Sequence, residues 1–264
     1  MPTLSLSPRL ALHYLDENPS GRETVLLLHG LGASGESWRL QTPALVEAGY
    51  RVVAPDLRGF GQSGYPGRTD VPQMAADTAA LLVHLQTGPV AVTGISMGGT
   101  VALQLALDHP ELTSRLVLVN TFCHLQPAKA SAWLYFALRL VLVYTVGLPS
   151  QARAVTRRIF PHPDQELLRQ GLYDQILQAN PRAYRAAILA LGRFDAQARL
   201  GEIGVPTLVV TGEADTTVQP RNQCDLLAIR GARQVVIPGA GHGVTADHPQ
   251  EFNQVLLEFL RSRA

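Results

Sequence analysis

The chain has 264 residues, 46% of them hydrophobic and 16% charged, with a formal net charge of +1. That length allows one large α/β domain with a sizeable core, while the near-neutral charge and the lack of any Lys/Arg-rich block argue against nucleic acid or a membrane surface as partner. The two cysteines, Cys123 and Cys224, are far apart and outside any zinc-type spacing, which predicts a reducing compartment and no structural metal.

Residues 1–8 have neither a basic start nor a long apolar run, so no signal peptide is expected and a cytoplasmic location follows. Residues 4–6 and 10–14 alternate as two short strands turned at Ser7-Pro8-Arg9. Residues 24–28 are continuously apolar, as in a strand buried on both faces, and they end in His29-Gly30-Leu31-Gly32. Glycines let that loop's backbone come close to a ligand, and the amide of Leu31 is a candidate donor to an oxyanion. His29 is expected to hold the loop by hydrogen bonding and not to act as a base. Residues 36–48 have helical spacing and stop at Gly49. After the strand at 51–56, Asp56 is expected to cap the glycine-rich loop 57–64. Residues 71–86 read as a helix.

Residues 90–100 are the most informative stretch. An apolar, β-branched run breaks at Gly94-Ile95-Ser96-Met97-Gly98-Gly99 and then turns helical towards His109. Strand, tight turn and helix in that order project the Ser96 hydroxyl from the end of the sheet, on a strained backbone. The first N–H groups of the helix point to the same spot, and the Met97 amide becomes the second candidate oxyanion donor.

Residues 116–120 form another buried strand, and the alternation of strands and helices predicts a mostly parallel sheet covered on both faces. From 121 to 200 strands vanish and helical stretches appear, broken near Pro149, Pro161, Pro163 and Pro181. A helical cap at 121–200, inserted between core segments 1–120 and 201–264, fits that change of rhythm and would sit where ligands bind in open α/β sheets. The cap carries ten basic and four acidic residues, net +6, enough for a weak pull on an anionic substrate. Residues 133–146 are apolar but too short for a membrane span and include Arg139, so they read as a buried or substrate-facing helix. The sheet resumes at 205–211 ahead of Asp215, a last strand at 234–238 leads into Gly241-His242-Gly243, and 249–261 is an amphipathic helix.

Ser96, Asp215 and His242 thus stand beyond the carboxyl ends of strands, in the order serine, acid, histidine. Serine needs an adjacent base at neutral pH, imidazole has the right intrinsic pKa, and a carboxylate fixes the imidazole tautomer. Asp215 is preferred to Glu213 because, three residues past Gly212, it holds the loop position suited to the shorter carboxylate. Asp247 is expected to cap the helix that follows it.

With these motifs assembled, the chain resembles the α/β-hydrolase family over nearly its whole length. The matching pieces are His29 to Gly32, Asp56 to Ser63, Gly94 to Gly99, the segment from Pro206 to Asp215, and Gly241-His242. The resemblance implies an eight-stranded sheet, a cap after the sixth strand and no cofactor. It is closest to esterase, enol-lactonase, carbon-carbon hydrolase and cofactor-free haloperoxidase members. Dehalogenases and epoxide hydrolases of that fold carry aspartate where Ser96 stands, which argues against both. Carbon-carbon hydrolases often place a tryptophan beside the catalytic histidine, where this chain has Gly243 and Val244.

The expected activity is hydrolysis of a carboxylic ester or lactone of a small, largely apolar substrate through an acyl-enzyme. The alternatives are a carbon-carbon hydrolase, a cofactor-free haloperoxidase or perhydrolase, and a ligand receptor that stalls after one turnover. Trp38, Phe122, Trp133 and Phe136 are candidate wall residues of an apolar substrate pocket.

Overall fold

The central strands are those built mainly from apolar and β-branched residues. In the computed structural model, which describes residues 2–125, 147–218 and 223–262, β1 (Thr3–Ser7) and β2 (Leu10–Glu17) form the N-terminal hairpin. They are followed by β3 (Thr24–Leu28), β4 (Arg51–Pro55), β5 (Val90–Ile95), β6 (Thr113–Val119), β7 (Thr207–Gly212) and β8 (Arg233–Ile237). The sheet order is β1-β2-β4-β3-β5-β6-β7-β8. β2 runs antiparallel to β1 and β4, and all the pairs from β4 to β8 are parallel. β3, β5 and β7 are buried at every residue, whereas β1 alternates exposed and half-buried at the edge.

Period-two alternation sends these side chains into two cores, one on each face of the sheet. Leu26, Leu28, Val92, Leu116 and Leu118 face one core, with α2 (Val71–His84) and α3 (Met97–Asp108) laid over it. Val25, Leu27, Val117 and Val119 face the other, closed by Trp38, Leu45 and the C-terminal helix α7 (Pro249–Arg261). Phe252, Leu256 and Leu260 recur at four-residue steps on α7, which makes the apolar stripe that buries it. α2 begins where the Asp70 carboxylate accepts the Gln73 N–H at 2.8 Å, an N-cap followed by Pro72 in the first turn.

The helix expected over 36–48 is two pieces, a 3-10 turn (Gly35–Trp38) and α1 (Thr42–Glu47). Pro43 lacks an N–H and is tolerated only at a helix start, so the second piece begins around it. Between β6 and β7 the described residues hold α4 (Leu148–Ile159), α5 (Glu166–Gln178) and α6 (Pro181–Arg193). Among the described residues the β-pairing there is a single isolated bridge, His124 to Asp195. Among the described residues no helix is long and apolar enough to cross a membrane. The segment 133–146 lies outside the described residues.

Candidate active site

Ser96 sits between the last residue of β5 and the first of α3, with φ 53° and ψ −116°. A non-glycine residue in that region is strained, and here the packing around it enforces the strain. A Cβ on Gly94 would meet the Gly98 carbonyl, and one on Gly98 would meet the Leu28 carbonyl, so the turn closes backbone against backbone. The Ser96 N–H donates to the Val119 carbonyl at 2.9 Å, and the Thr121 hydroxyl donates to the Ser96 carbonyl at 2.7 Å.

Asp215 and His242 meet beyond the ends of β7 and β8, with β6 between them and the strand that carries Ser96. His242 Nδ1 lies 2.9 Å from Asp215 Oδ2, with side chains 7% and 1% exposed respectively. The second carboxylate oxygen accepts the Thr217 and Val218 N–H groups at 2.7 and 3.2 Å, and Gln223 Nε2 donates to Oδ2 at 3.2 Å. An ionised carboxylate so surrounded is an acceptor only, so the Nδ1 proton points at Asp215 and Nε2 is left with its lone pair. Glu213 is exposed and accepts the Gly239 N–H at 2.9 Å, away from the imidazole. Asp247 differs from expectation. It ends the short helix Val244–Asp247, and its carboxylate accepts the Gly241 N–H at 2.9 Å, while His248 takes the N-cap position of α7.

Ser96 and His242 open into one cavity of about 420 Å³. Among the described residues no hydrogen bond within 3.5 Å joins the hydroxyl to the imidazole. Such contacts are often loose until a substrate orders them. Leu31 lines the same cavity, and a Cβ on Gly30 would lie 3.7 Å from the Ser96 Cβ, so the 29–32 loop runs alongside the serine. Met97 opens α3, where backbone N–H groups have no intrahelical partner. His29 holds that loop as its position suggested: Nδ1 donates to the Gly30 carbonyl at 2.8 Å and Nε2 accepts the Leu57 N–H at 2.9 Å. Burial pushes the His29 pKa below its usual range, outweighing the Gly30 hydrogen bond and the nearby Asp56 charge. Asp56 ties the neighbouring loop, accepting from the Gly35 and Gln62 N–H groups at 2.8 Å each and pairing with His13 at 3.0 Å.

Of the aromatic candidates, Phe122 lines the cavity. Trp38 does not. It is 1% exposed in the core beneath α7, with its ring centroid 6.3 Å from that of Phe252, because its strand-flanking turn faces the opposite side of the sheet. Trp133 and Phe136 lie outside the described residues. Much of the remaining wall is aliphatic and comes from the helices between β6 and β7, including Val155, Ile159, Leu172, Ile188 and Leu191. Among the described residues no three His, Cys, Asp or Glu side chains gather into a metal ligand set.

The sequence reading missed three groups that hold the site. Asn120 bonds to both the acid and the histidine loops, Gln223 reaches the acid, and Arg158 of α4 donates to the Thr216 carbonyl beside it. Asn120 alone left a trace in the sequence, as a polar residue closing an apolar strand, and it has φ 42°.

A profile of the α/β-hydrolase fold matches residues 23–249. The chain belongs to the α/β-hydrolase family. This hydrolase is 35% identical, over 95% of its length and 96% of the relative's, to a Variovorax paradoxus protein provisionally named carbamate hydrolase RutD. Its fold superposes on the enol-lactonase from Burkholderia xenovorans LB400 with a TM-score of 0.89 at 26% identity, covering 99% of this chain and 100% of that one. A thermophilic esterase from Thermogutta terrifontis gives 0.85 at 29% identity, covering 98% and 96%. The hydrolase is therefore an enzyme of a family that acts on small molecules, with the sheet its sequence implied.

Proposed function

We propose that this hydrolase cleaves a carboxylic ester or lactone of a small, largely apolar substrate through an acyl-enzyme. The observation that carries the reading is one cavity shared by a serine on a strained strand-to-helix turn and an imidazole paired at 2.9 Å with a buried carboxylate. His242 Nε2 takes the Ser96 proton as Oγ attacks the carbonyl carbon, and the carbonyl π electrons move onto oxygen. The Leu31 and Met97 amides stabilise that oxyanion, each worth about 3 kcal/mol in the transition state. The tetrahedral intermediate collapses, the imidazolium protonates the departing alkoxide, and water repeats the cycle on the acyl-serine to release the acid. The segment 121–200 is read as a cap, whose helices α4, α5 and α6 wall the cavity and hold the acyl chain while water reaches the acyl-serine.

A second reading, carbamate hydrolysis, is favoured by the 35% identity to the Variovorax protein. The cavity supports the ester reading better. At about 420 Å³ with aliphatic walls it falls in the range that encloses a drug-sized apolar ligand, whereas an unsubstituted carbamate has a handful of polar atoms and would leave most of it unfilled.

Aryl esters of increasing acyl length, lactones and a carbamate, assayed on wild type and on Ser96→Ala, test the reading. Each added methylene that enters the cavity contributes about 0.8 kcal/mol, so kcat/KM rises about fourfold per carbon until the space is filled. Ser96→Ala lowers kcat by roughly 10⁴–10⁶ and abolishes labelling by a fluorophosphonate. A Ser96→Ala variant that turns over normally, or turnover confined to the carbamate, overturns the proposal.

A further inference from the structure

We propose that Asn120 is a positioning residue that fixes the direction of the catalytic imidazole, an inference that rests on the serine-hydrolase reading above. Asn120 follows β6 and is 0% exposed. Its carboxamide makes three hydrogen bonds to the two loops that carry the acid and the base. Oδ1 accepts the Gly212 N–H at 2.8 Å, and Nδ2 donates to the carbonyls of Gly241 and His242 at 3.0 and 2.9 Å.

Those two carbonyls belong to the peptide planes on either side of the His242 Cα. Pinning both planes fixes φ and ψ of residue 242, and with them the direction in which its Cα–Cβ bond leaves the chain. Asp215 then needs only to select the ring rotamer. The Gly212 N–H lies at the head of the turn that carries Asp215, whose own N–H donates to the Gly212 carbonyl at 3.1 Å. One side chain therefore sets the spacing of acid and base.

The neighbours of Asn120 do the same for the nucleophile, since the Val119 carbonyl accepts the Ser96 N–H and the Thr121 hydroxyl donates to the Ser96 carbonyl. The chemistry of position 120 is narrow. It requires an acceptor and two donors on a short stem, together with a left-handed backbone, φ 42°, which asparagine tolerates better than most residues. Aspartate keeps the shape and the acceptor but loses both donors. Alanine removes all three bonds.

The test compares wild type with Asn120→Asp and Asn120→Ala. Misdirecting a catalytic group by a fraction of an ångström to an ångström costs up to about 10²-fold, so kcat falls 10- to 100-fold in both variants while KM stays within about twofold. Fluorophosphonate labelling of Ser96 slows in parallel. The low-field proton resonance of the His242 Nδ1–H···Asp215 bond shifts or broadens, which a loss of stability alone does not produce. A folded variant with kcat within twofold of wild type and an unmoved resonance overturns the proposal. If neither variant folds, the wild type decides: slow exchange of the Asn120 carboxamide protons supports the clamp, and exchange at the rate of a free amide overturns it. Normal turnover by Ser96→Ala would remove the hydrolase reading itself. An inactive Ser96→Ala beside fully active Asn120 variants would remove this inference alone.

Discussion

Replacing Asp215 by asparagine changes neither size nor shape, yet it should separate catalysis from stability. Among the described residues the carboxylate accepts four donors: His242 Nδ1 at 2.9 Å, the Thr217 and Val218 N–H groups at 2.7 and 3.2 Å, and Gln223 Nε2 at 3.2 Å. An asparagine has one acceptor oxygen. The two backbone donors cannot move, so that oxygen stays with them and the new NH₂ turns to the imidazole. Nδ1 must then present its lone pair, the proton shifts to Nε2, and the ring can no longer accept a proton from Ser96. The cost expected from a reversed tautomer is about 10⁴ in kcat, or about 5 kcal/mol of transition-state stabilisation. Folding stability changes by less than activity, because the backbone donors keep their partner; Gln223 can reverse its amide to accept through Oε1, which among the described residues has no hydrogen-bond partner, and gives up only the 3.3 Å bond from Nε2 to the Val218 carbonyl. Asp215→Ala loses the same activity and also orphans the Val218 N–H, at about 1–3 kcal/mol of stability. Steady-state kinetics on a short aryl ester, set beside thermal unfolding of both variants, read the two effects separately. Asp215→Asn retaining more than about a tenth of wild-type kcat/KM would refute the tautomer argument.

Two further outcomes follow from residues outside the reacting group. Burial holds His29 neutral in the fold, so below its ordinary pKa of 6.5 the unfolded chain binds the extra proton and the folded chain does not. Stability is therefore lost as pH falls, at no more than about 1.4 kcal/mol per pH unit from this group, and His29→Asn should lose less between pH 7.5 and 5. Equal acid slopes for the two proteins in denaturant titrations would show His29 to be charged in the fold. Trp38 packs on Phe252 in the core, so Trp38→Ala should cost about 3–5 kcal/mol in denaturant unfolding while leaving KM of the folded enzyme unchanged. A tenfold rise in KM would return Trp38 to the substrate pocket.

Where local pattern alone determines structure, the sequence was legible. β3, β5 and β7 are rich in apolar and β-branched residues and are buried on both faces, and the strand-to-helix turn at Ser96 announces itself because only glycine fits at positions 94 and 98. The pairing of Asp215 with His242 was inferable because loops past parallel strands project from the same edge of the sheet. Trp38 was misplaced because an aromatic side chain on a loop near the site has the same composition whether it points above or below the sheet, and only the path of the 35–38 turn decides. The contacts of Gln223 and Arg158 with the acid loop were invisible for a related reason: each depends on the docking of segments distant in sequence, not on any local period. Asp247 failed differently, since a carboxylate at a helix junction satisfies either end, and here the upstream Gly241 N–H captured it.

The backbone contacts at Gly94, Gly98 and Gly212 bear on how such an enzyme can diversify. Any side chain at these positions would collide with a main-chain carbonyl, so drift there is blocked by atoms that no neighbouring substitution can trim away. The aliphatic lining contributed by Val155, Leu172, Ile188 and Leu191 carries no such restriction, because each residue can be exchanged for a larger or smaller one with a modest repacking cost. Selection acting on this scaffold finds new diets more easily than new chemistry.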